Sequence, residues 1–353
     1  MHAAMAGPGP VTLKQVAEHA NVSIATASNA LTGTRKVSAA SIERVLRSAA
    51  ELGYQRNEAA RTLRTGLRNT IGVVVPDVTN PFWGSMIGTI ERIAGQGGFQ
   101  VALTNTEFDP EREAAALARL VTRVDGILLF STQPDSDSIQ PLVDLALPMV
   151  ACDEVFELDG LGGAYSDNAG GARLAAHHLV DAGGTVFGML EGPAALPTAA
   201  QRSTGFRAGL AERGVDPSRI HSAVAEYSFE AGRHGVRRLL AEHPDVDALF
   251  AFTDNQAIGA IFEAHDLGRS IPEDLLVCGF DDISWSSRVS PSLTTLRQDA
   301  EGMATYAVEM LLDMVTTGAM PDVRVFPVHL IARESTRARN ASSLVDAAGV
   351  TTM

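Results

Sequence analysis

The sequence predicts an α/β protein with a small all-helical headpiece at its amino end. Three observations carry this. Residues 11–31, VTLKQVAEHANVSIATASNAL, have the apolar spacing of two short helices joined by a tight turn. From Thr70 onward, apolar runs of strand composition alternate with amphipathic helical stretches, which implies parallel sheets flanked by helices. That part of the chain, roughly 270 residues, is too long for one small core and suits two α/β lobes.

Residues 1–10, MHAAMAGPGP, lack periodicity and hold two Pro and two Gly, so they read as a loose leader. They also lack the apolar run of a signal peptide. Thr12 is placed to cap a first helix, with Gln15 completing a capping box. Leu13, Val16, Ala17 and Ala20 share one face of it. Asn21 suits a turn, and Ser23 restarts a helix. Ala27, Ala30 and Leu31 then face inward, leaving Ile24, Ala25, Thr26, Ser28 and Asn29 outward. That outer face is small, polar and uncharged, and it can enter a DNA major groove at little desolvation cost. Two helices so joined describe a helix-turn-helix. A hairpin that only stabilises a fold is the competing reading. Ser38 caps a third helix, with Ile42, Val45, Leu46, Ala49 and Leu52 as its expected buried stripe and Gly53 just past its end.

Charge separates the regions. Residues 11–70 hold nine Lys and Arg against four Glu, a balance of +5. The whole chain carries −14, so the remainder carries −19. One end suits phosphate, and DNA repels the rest.

In the body, strands are expected near 71–75, 100–104, 126–130, 149–152, 186–190, 248–252, 276–280 and 324–330. Helices are expected near 82–96, 111–123, 169–182, 198–213, 229–242, 254–266 and 300–317. Parallel sheets bind ligands at the carboxyl ends of their strands. That rule selects Asp77, Asn80, Phe82 and Trp83 after the first strand. After later strands it selects Asp153, then Thr253 and Asp254, then Asp281 and Asp282. Flat aromatics with carboxylates make a common sugar-binding chemistry. Any single Asp here has helix capping as its alternative.

Cys152 and Cys278 are the two cysteines, and both sit in apolar strand contexts. Buried thiols in a reducing cytosol are expected rather than a disulfide. No apolar run reaches membrane-spanning length. His177 and His178 point different ways from one helix and have no partner at metal spacing. Gly160, Gly162 and Gly163 complete no dinucleotide fingerprint, and no GxSxG elbow occurs. Adjacent Asp281 and Asp282 diverge after a strand, which disfavours a catalytic pair. No metal or cofactor is expected.

Three runs, VTLKQVAEHANVSIATASNALTGTRKVS, ELGYQRNEAARTLRTG and NTIGVVVPDVTNPFW, resemble the lactose-repressor/galactose-repressor (LacI/GalR) family of bacterial transcription factors. The resemblance runs in order from residue 11 to about 338. It implies that Ile24, Ala25 and Asn29 occupy base-reading positions, Asn29 having the chemistry to bond adenine bidentately. Ile24 and Ala25 offer only apolar contact where the family often has longer polar groups, which leaves the operator sequence open. Thr12, Ser23, Thr26, Ser28 and Ser38 resemble phosphate contacts. Residues 57–64, NEAARTLR, resemble a hinge helix that folds on DNA. There Leu63 would wedge into a central base step of the minor groove, and Asn57, Ala60 and Arg64 would lie along that groove.

The body resembles a periplasmic-binding-protein type sensor with two lobes joined by three crossovers. By that resemblance Arg202, Asp281 and Gln298 contact an effector, Thr253 stands where relatives often have Asn, and Tyr227 falls where some place a stacking aromatic. The expected division is 1–10 leader, 11–56 headpiece, 57–69 hinge and linker, 70–338 sensor and 339–353 disordered tail. Lobe 1 would span about 70–182 and 299–327, and lobe 2 about 183–298 and 328–338. The expected function is a cytoplasmic repressor, a homodimer on a near-palindromic operator, controlled by a small molecule. A sugar is favoured over a purine as that effector. A sugar-binding protein without a DNA role, or a sugar-acting enzyme, is the alternative.

Overall fold

The computed structural model describes residues 11–32, 35–54, 66–131, 139–156 and 158–337. They fall into two units that divide between Arg68 and Asn69. The expected hinge, residues 57–64, and the expected leader and tail at 1–10 and 339–353 lie outside the described residues.

The first unit contains α1 (Leu13–His19), α2 (Ile24–Thr32) and α3 (Ala39–Leu52). Thr12 closes a full capping box with Gln15, whose side chain accepts from the Thr12 N–H at 2.7 Å. Asn21 turns the chain at φ 51°. Ser23 Oγ then accepts from the Thr26 N–H at 3.0 Å. Val16, Ala17, Ala20, Ala27 and Val45 form a small core, ringed by Leu13, Val22, Leu31, Leu52 and Tyr54 among others. One expectation fails on α3. Leu46 is 52% exposed, and Ser48 takes the buried place. Leu46 lies one residue past Val45, about 100° round the helix and off the inward face. Ser48 tolerates burial because its hydroxyl meets His19 Nδ1 at 3.0 Å.

The second unit has two sheets. The first runs in the order β11-β5-β4-β3-β1-β2, all parallel, from β1 (Thr70–Val75), β2 (Gln100–Asn105), β3 (Gly126–Leu129), β4 (Met149–Cys152), β5 (Gly162–Ser166) and β11 (Val323–Phe326). The second runs β12-β10-β9-β8-β6-β7, from β6 (Phe187–Glu191), β7 (Ile220–Val224), β8 (Ala248–Ala251), β9 (Leu276–Asp281), β10 (Thr294–Arg297) and β12 (His329–Ile331). Its strands are parallel apart from β12, which is antiparallel to β10. The helices are α4 (Pro81–Gln96), α5 (Pro110–Leu120), α6 (Gln140–Asp144), α7 (Asn168–Asp181), α8 (Pro197–Glu212), α9 (Phe229–Glu242), α10 (Asp254–Asp266) and α11 (Ala300–Thr317).

The chain passes between sheets three times. The first passage follows β5 at Asp167, earlier than the expected division after residue 182. Its cause is the apolar stripe of α7. Ala172, Ala175, Ala176 and Leu179 share a core with Phe187, Phe206, Phe250 and Phe280 of the second sheet and α8. Gly205 lets α8 approach closely, since a Cβ there would stand 2.2 Å from the Ala169 carbonyl oxygen. The second passage lies between β10 and α11, and the third between β11 and β12. The single strand expected at 324–330 is therefore two, one in each sheet. Pro327 separates them, having no N–H to extend a ladder.

Candidate functional site

The outer face of the headpiece is built from helix starts. Thr12 and Ser38 are the N-caps of α1 and α3, and Ser23 precedes α2. All three are exposed, as are Ile24 (50%) and Ala25, while Thr26, Ser28 and Asn29 are half-buried. Thr12 and Ser38 hydroxyls donate locally, to Gln15 Oε1 at 2.9 Å and to Ser41 Oγ at 2.9 Å. The expected minor-groove residues Asn57, Ala60, Leu63 and Arg64 lie outside the described residues.

In the body, strand order reverses at β1/β3 in the first sheet and at β6/β8 in the second. A cavity opens between the carboxyl ends of these strands. It is lined by Pro76, Asn80, Phe82, Trp83, Phe130, Ser131, Asp153, Glu154, Thr198, Arg202, Tyr227, Thr253 and Asp281. Its volume is about 20 Å³, room for about one water. A ligand larger than water needs the walls to part.

Each wall residue is held by local rules. Asn80 caps α4, its side chain accepting from the Phe82 N–H at 3.0 Å, and Pro81 pre-sets the first turn. That cap sends Phe82 and Trp83 to the cavity wall. Trp83 Nε1 donates to Asp153 Oδ2 at 3.2 Å. Asp153 Oδ1 is buried and has no hydrogen-bond partner among the described residues. Asp153 and Asp281 both sit at positive φ, 72° and 117°, in a region that costs non-glycine residues energy. Thr253 closes a capping box with Gln256 at the start of α10. Tyr227 fits against the chain after β6 because residue 192 is glycine. A Cβ there would stand 2.1 Å from the Tyr227 hydroxyl oxygen.

Arg202 is 3% exposed. Its Nε donates to Asn168 Oδ1 at 2.8 Å, its Nη1 donates to the Phe252 carbonyl, and its guanidinium lies 3.8 Å from the centre of the Phe280 ring. It faces three carboxylates. Burial raises Asp153, against the pull of Arg202 and the Trp83 hydrogen bond. Burial, then the charge of Asp153, raises Glu154 to about 7. Burial raises Asp281 well above the usual carboxylate range, with Arg202 opposing. Three acids around one cation favour a ligand that donates hydrogen bonds.

Three expected effector residues are not on the cavity wall. Asp77 accepts from the Thr79 N–H and hydroxyl at 2.8 and 2.7 Å, which makes it a turn residue. Asp254 is fully buried and accepts from the Ile283 N–H at 2.9 Å, the Ser286 hydroxyl at 2.6 Å and the Thr295 hydroxyl at 2.5 Å. It ties the start of α10 to β10 and to the loop after β9. Gln298 stands behind Asp281, its Nε2 donating to Asp281 Oδ1 at 2.7 Å. Glu154 and Thr198 were not foreseen. The available signal was Leu196 before Pro197, a helix start with no side-chain cap of its own.

Comparison with known proteins fits this arrangement. Residues 12–57 match the family model for bacterial regulatory proteins, lacI family, and residues 176–336 match a periplasmic binding protein-like domain. The ribose operon repressor of Halalkalibacterium halodurans is 33% identical over 329 residues, which cover 92% of this chain and 97% of that protein. The chain belongs to the LacI family. Another member, the HTH-type transcriptional repressor CytR of Escherichia coli, is 33% identical over 93% of this chain and 96% of its own. Among solved structures, the Lac repressor bound to ONPG in the repressed state aligns with TM-score 0.82 at 27% identity. That alignment covers 92% of this chain and 99% of the repressor. The complex of the transcriptional regulator CelR with cellobiose aligns with TM-score 0.69 at 28% identity, over 92% of this chain and 99% of that one. Like other members of the LacI family, this chain joins a DNA-binding headpiece to a ligand-sensing body. Among the described residues no helix is long and apolar enough to cross a membrane, and no cluster of acidic, His and Cys side chains could hold a metal.

Proposed function

We propose that this LacI-family member is a transcriptional repressor whose grip on a near-palindromic operator is set by a sugar bound between the two sheets of the body. The observation that carries the reading is Trp83 beside the open oxygen of Asp153, with Arg202 buried across the cavity. An indole face can stack on sugar C–H groups while the carboxylate accepts from hydroxyls. Relatives support it: ribose operon repressors recur among them, and solved relatives include complexes with cellobiose and with ribose.

The repressor acts as a dimer in the cytoplasm, since one headpiece buries too little surface to hold DNA tightly. A Lac repressor dimer has been solved on operator DNA. Asn80, Phe82, Trp83, Asp153, Arg202, Tyr227, Thr253 and Asp281 contact the effector, and Gln298 positions Asp281. Thr12, Ser23, Thr26, Ser28 and Ser38 hold phosphate, while Ile24, Ala25 and Asn29 face the bases. Sugar and operator are linked reciprocally by one coupling free energy, roughly 1–3 kcal/mol. The chain turns nothing over; its chemistry is binding.

A thermal-shift screen of ribose, cellobiose, other common sugars and nucleobases tests this, because a bound ligand raises the melting temperature by mass action. The expected result is a sugar that stabilises the protein and shifts its duplex affinity. Stabilisation by no sugar, or by one that leaves DNA binding unchanged, would overturn the reading.

A further inference from the structure

Three helix starts converge on the cavity: α4 at Asn80, α8 at Thr198 and α10 at Thr253. Helix starts attract anions, so such a convergence beside an arginine would ordinarily suit a phosphorylated ligand. Here each start is already capped. Asn80 and Thr253 cap their own helices with neutral side chains. The start of α8 differs. Its N-cap residue is Leu196, which supplies no side-chain hydrogen bond, and Pro197 has no N–H. The cap comes from the other sheet. Glu154, two residues past β4 and 6% exposed, accepts from the Thr198 N–H at 3.1 Å and from the Thr198 hydroxyl. The chain's own carboxylate therefore occupies the place where a ligand phosphate would seat. Asp153 and Asp281 add two more acids to the same wall; burial favours their protonated forms, so what opposes an anion is chiefly the occupied start of α8, to which the charge of Glu154 adds above about pH 7.

We propose that Glu154 makes this cavity selective for uncharged polyhydroxy ligands and sets it against their phosphate esters. The proposal deepens the sugar reading above and rests on it. An incoming phosphate must displace Glu154 from α8 and then face Asp153 and Asp281. A neutral sugar does not compete for the start of α8, so Glu154 returns to Thr198 once the walls close on it, and the sugar donates to the open oxygen of Asp153. Displacing Glu154 would also break a hydrogen-bonded tie between the two sheets, so an anion would oppose closure of the walls.

The experiment measures binding of ribose against ribose 5-phosphate, and glucose against glucose 6-phosphate, by calorimetry. It uses the full-length chain, as wild type, Glu154→Gln and Glu154→Ala. The titrations are run at about pH 8, above the value of about 7 to which burial raises Glu154; there glutamine keeps an acceptor for Thr198 without the charge, and alanine empties the site. The expected result is that wild type prefers the parent sugar at least about tenfold over its ester. Both variants should narrow that preference by about tenfold. Equal affinity of wild type for sugar and ester would overturn the proposal, with no variant needed. An unchanged ratio in a folded variant would overturn the role of Glu154. Should no sugar or ester bind, the sugar reading fails, and inorganic phosphate then decides the charge argument. Binding to Glu154→Gln and not to wild type upholds it; binding to both alike, or to neither, overturns it.

Discussion

Trp83 and Asp153 are 70 positions apart in sequence and share one hydrogen bond, indole Nε1 to carboxylate Oδ2 at 3.2 Å. The bond joins the first turn of α4 to the end of β4. It fixes the indole plane on the cavity wall and leaves Oδ1 as the open acceptor. Phe82 and Phe108 flank the indole with ring centres 6.5 and 5.9 Å away. Trp83→Phe keeps an aromatic face and removes the donor. The bond lies within the protein, and a hydrogen bond to a charged group is worth about 1.5–3 kcal/mol to the fold, so the melting temperature should fall; sugar affinity should fall as well, because Asp153 loses the donor that orients it. Calorimetry on the sugar found by screening checks this. An unchanged Kd would show that the indole N–H does not shape the site.

Among the described residues Arg202 is the one cation on the cavity wall, and it also satisfies Asn168 and the Phe252 carbonyl. Arg202→Ala should therefore do two things. Removing one partner of a buried charge network costs about 3–5 kcal/mol, visible as a lower denaturation midpoint. The same variant should bind operator while folded yet show no response to sugar. A normal dose-response in an operator-binding assay would remove Arg202 from the effector site.

Much of this site was legible because capping obeys local rules. Thr12 with Gln15, and Ser38 at the start of α3, could be read from short windows and were found as expected. Phe82, Trp83, Asp153 and Asp281 followed from the strand-end rule and line one cavity. The rule overreached at Asp77 and Asp254, because a carboxylate at a strand end can equally serve a turn or a buried tie. Strands β5, β7 and β10 escaped notice for compositional reasons. Gly162 and Gly163 open β5, β7 is a partly exposed edge carrying His221 and Ser222, and β10 is four residues long. The Glu154 cap was illegible for a different reason. Its partner lies 44 residues away, at the start of α8, and only folding brings the two together.

Burial of acids sets the pH dependence. Glu154 is raised from its ordinary 4.5 to about 7 and Asp254 from 3.8 to about 7, both chiefly by burial. Between each ordinary value and about 7, the folded protein keeps a proton that the unfolded chain has released. Stability therefore falls as pH rises through that window, by about 1.4 kcal/mol per pH unit for each such group, and levels off above it. Raised Asp153 and Asp281 act in the same direction. Lowered His178 and His221 oppose it just below 6.5. Denaturant midpoints should be higher near pH 5 than near pH 7.5. Glu154→Gln and Asp254→Asn should each flatten the slope, and only the former should alter ligand selectivity. Stability that rises from pH 5 to 7.5 would contradict the burial argument.

Asn29 is half-buried on α2, one turn beyond Ala25 on the outer side of the headpiece. Its amide can donate to adenine N7 and accept from N6, a pairing that reads one base pair. Ile24, 50% exposed beside it, can add only apolar contact. Asn29→Ala should therefore relax preference at a single position in each half-site, by roughly 1–3 kcal/mol, and leave affinity for other positions and the salt slope nearly unchanged. Leu63→Ala, in the expected hinge, should instead weaken the whole operator while sparing sugar affinity, since a lost wedge removes a kink rather than a base contact. Binding measured across a library of single-base operator variants separates the two. A uniform loss for Asn29→Ala would reassign that residue to phosphate, and unchanged operator affinity for Leu63→Ala would end the wedge role.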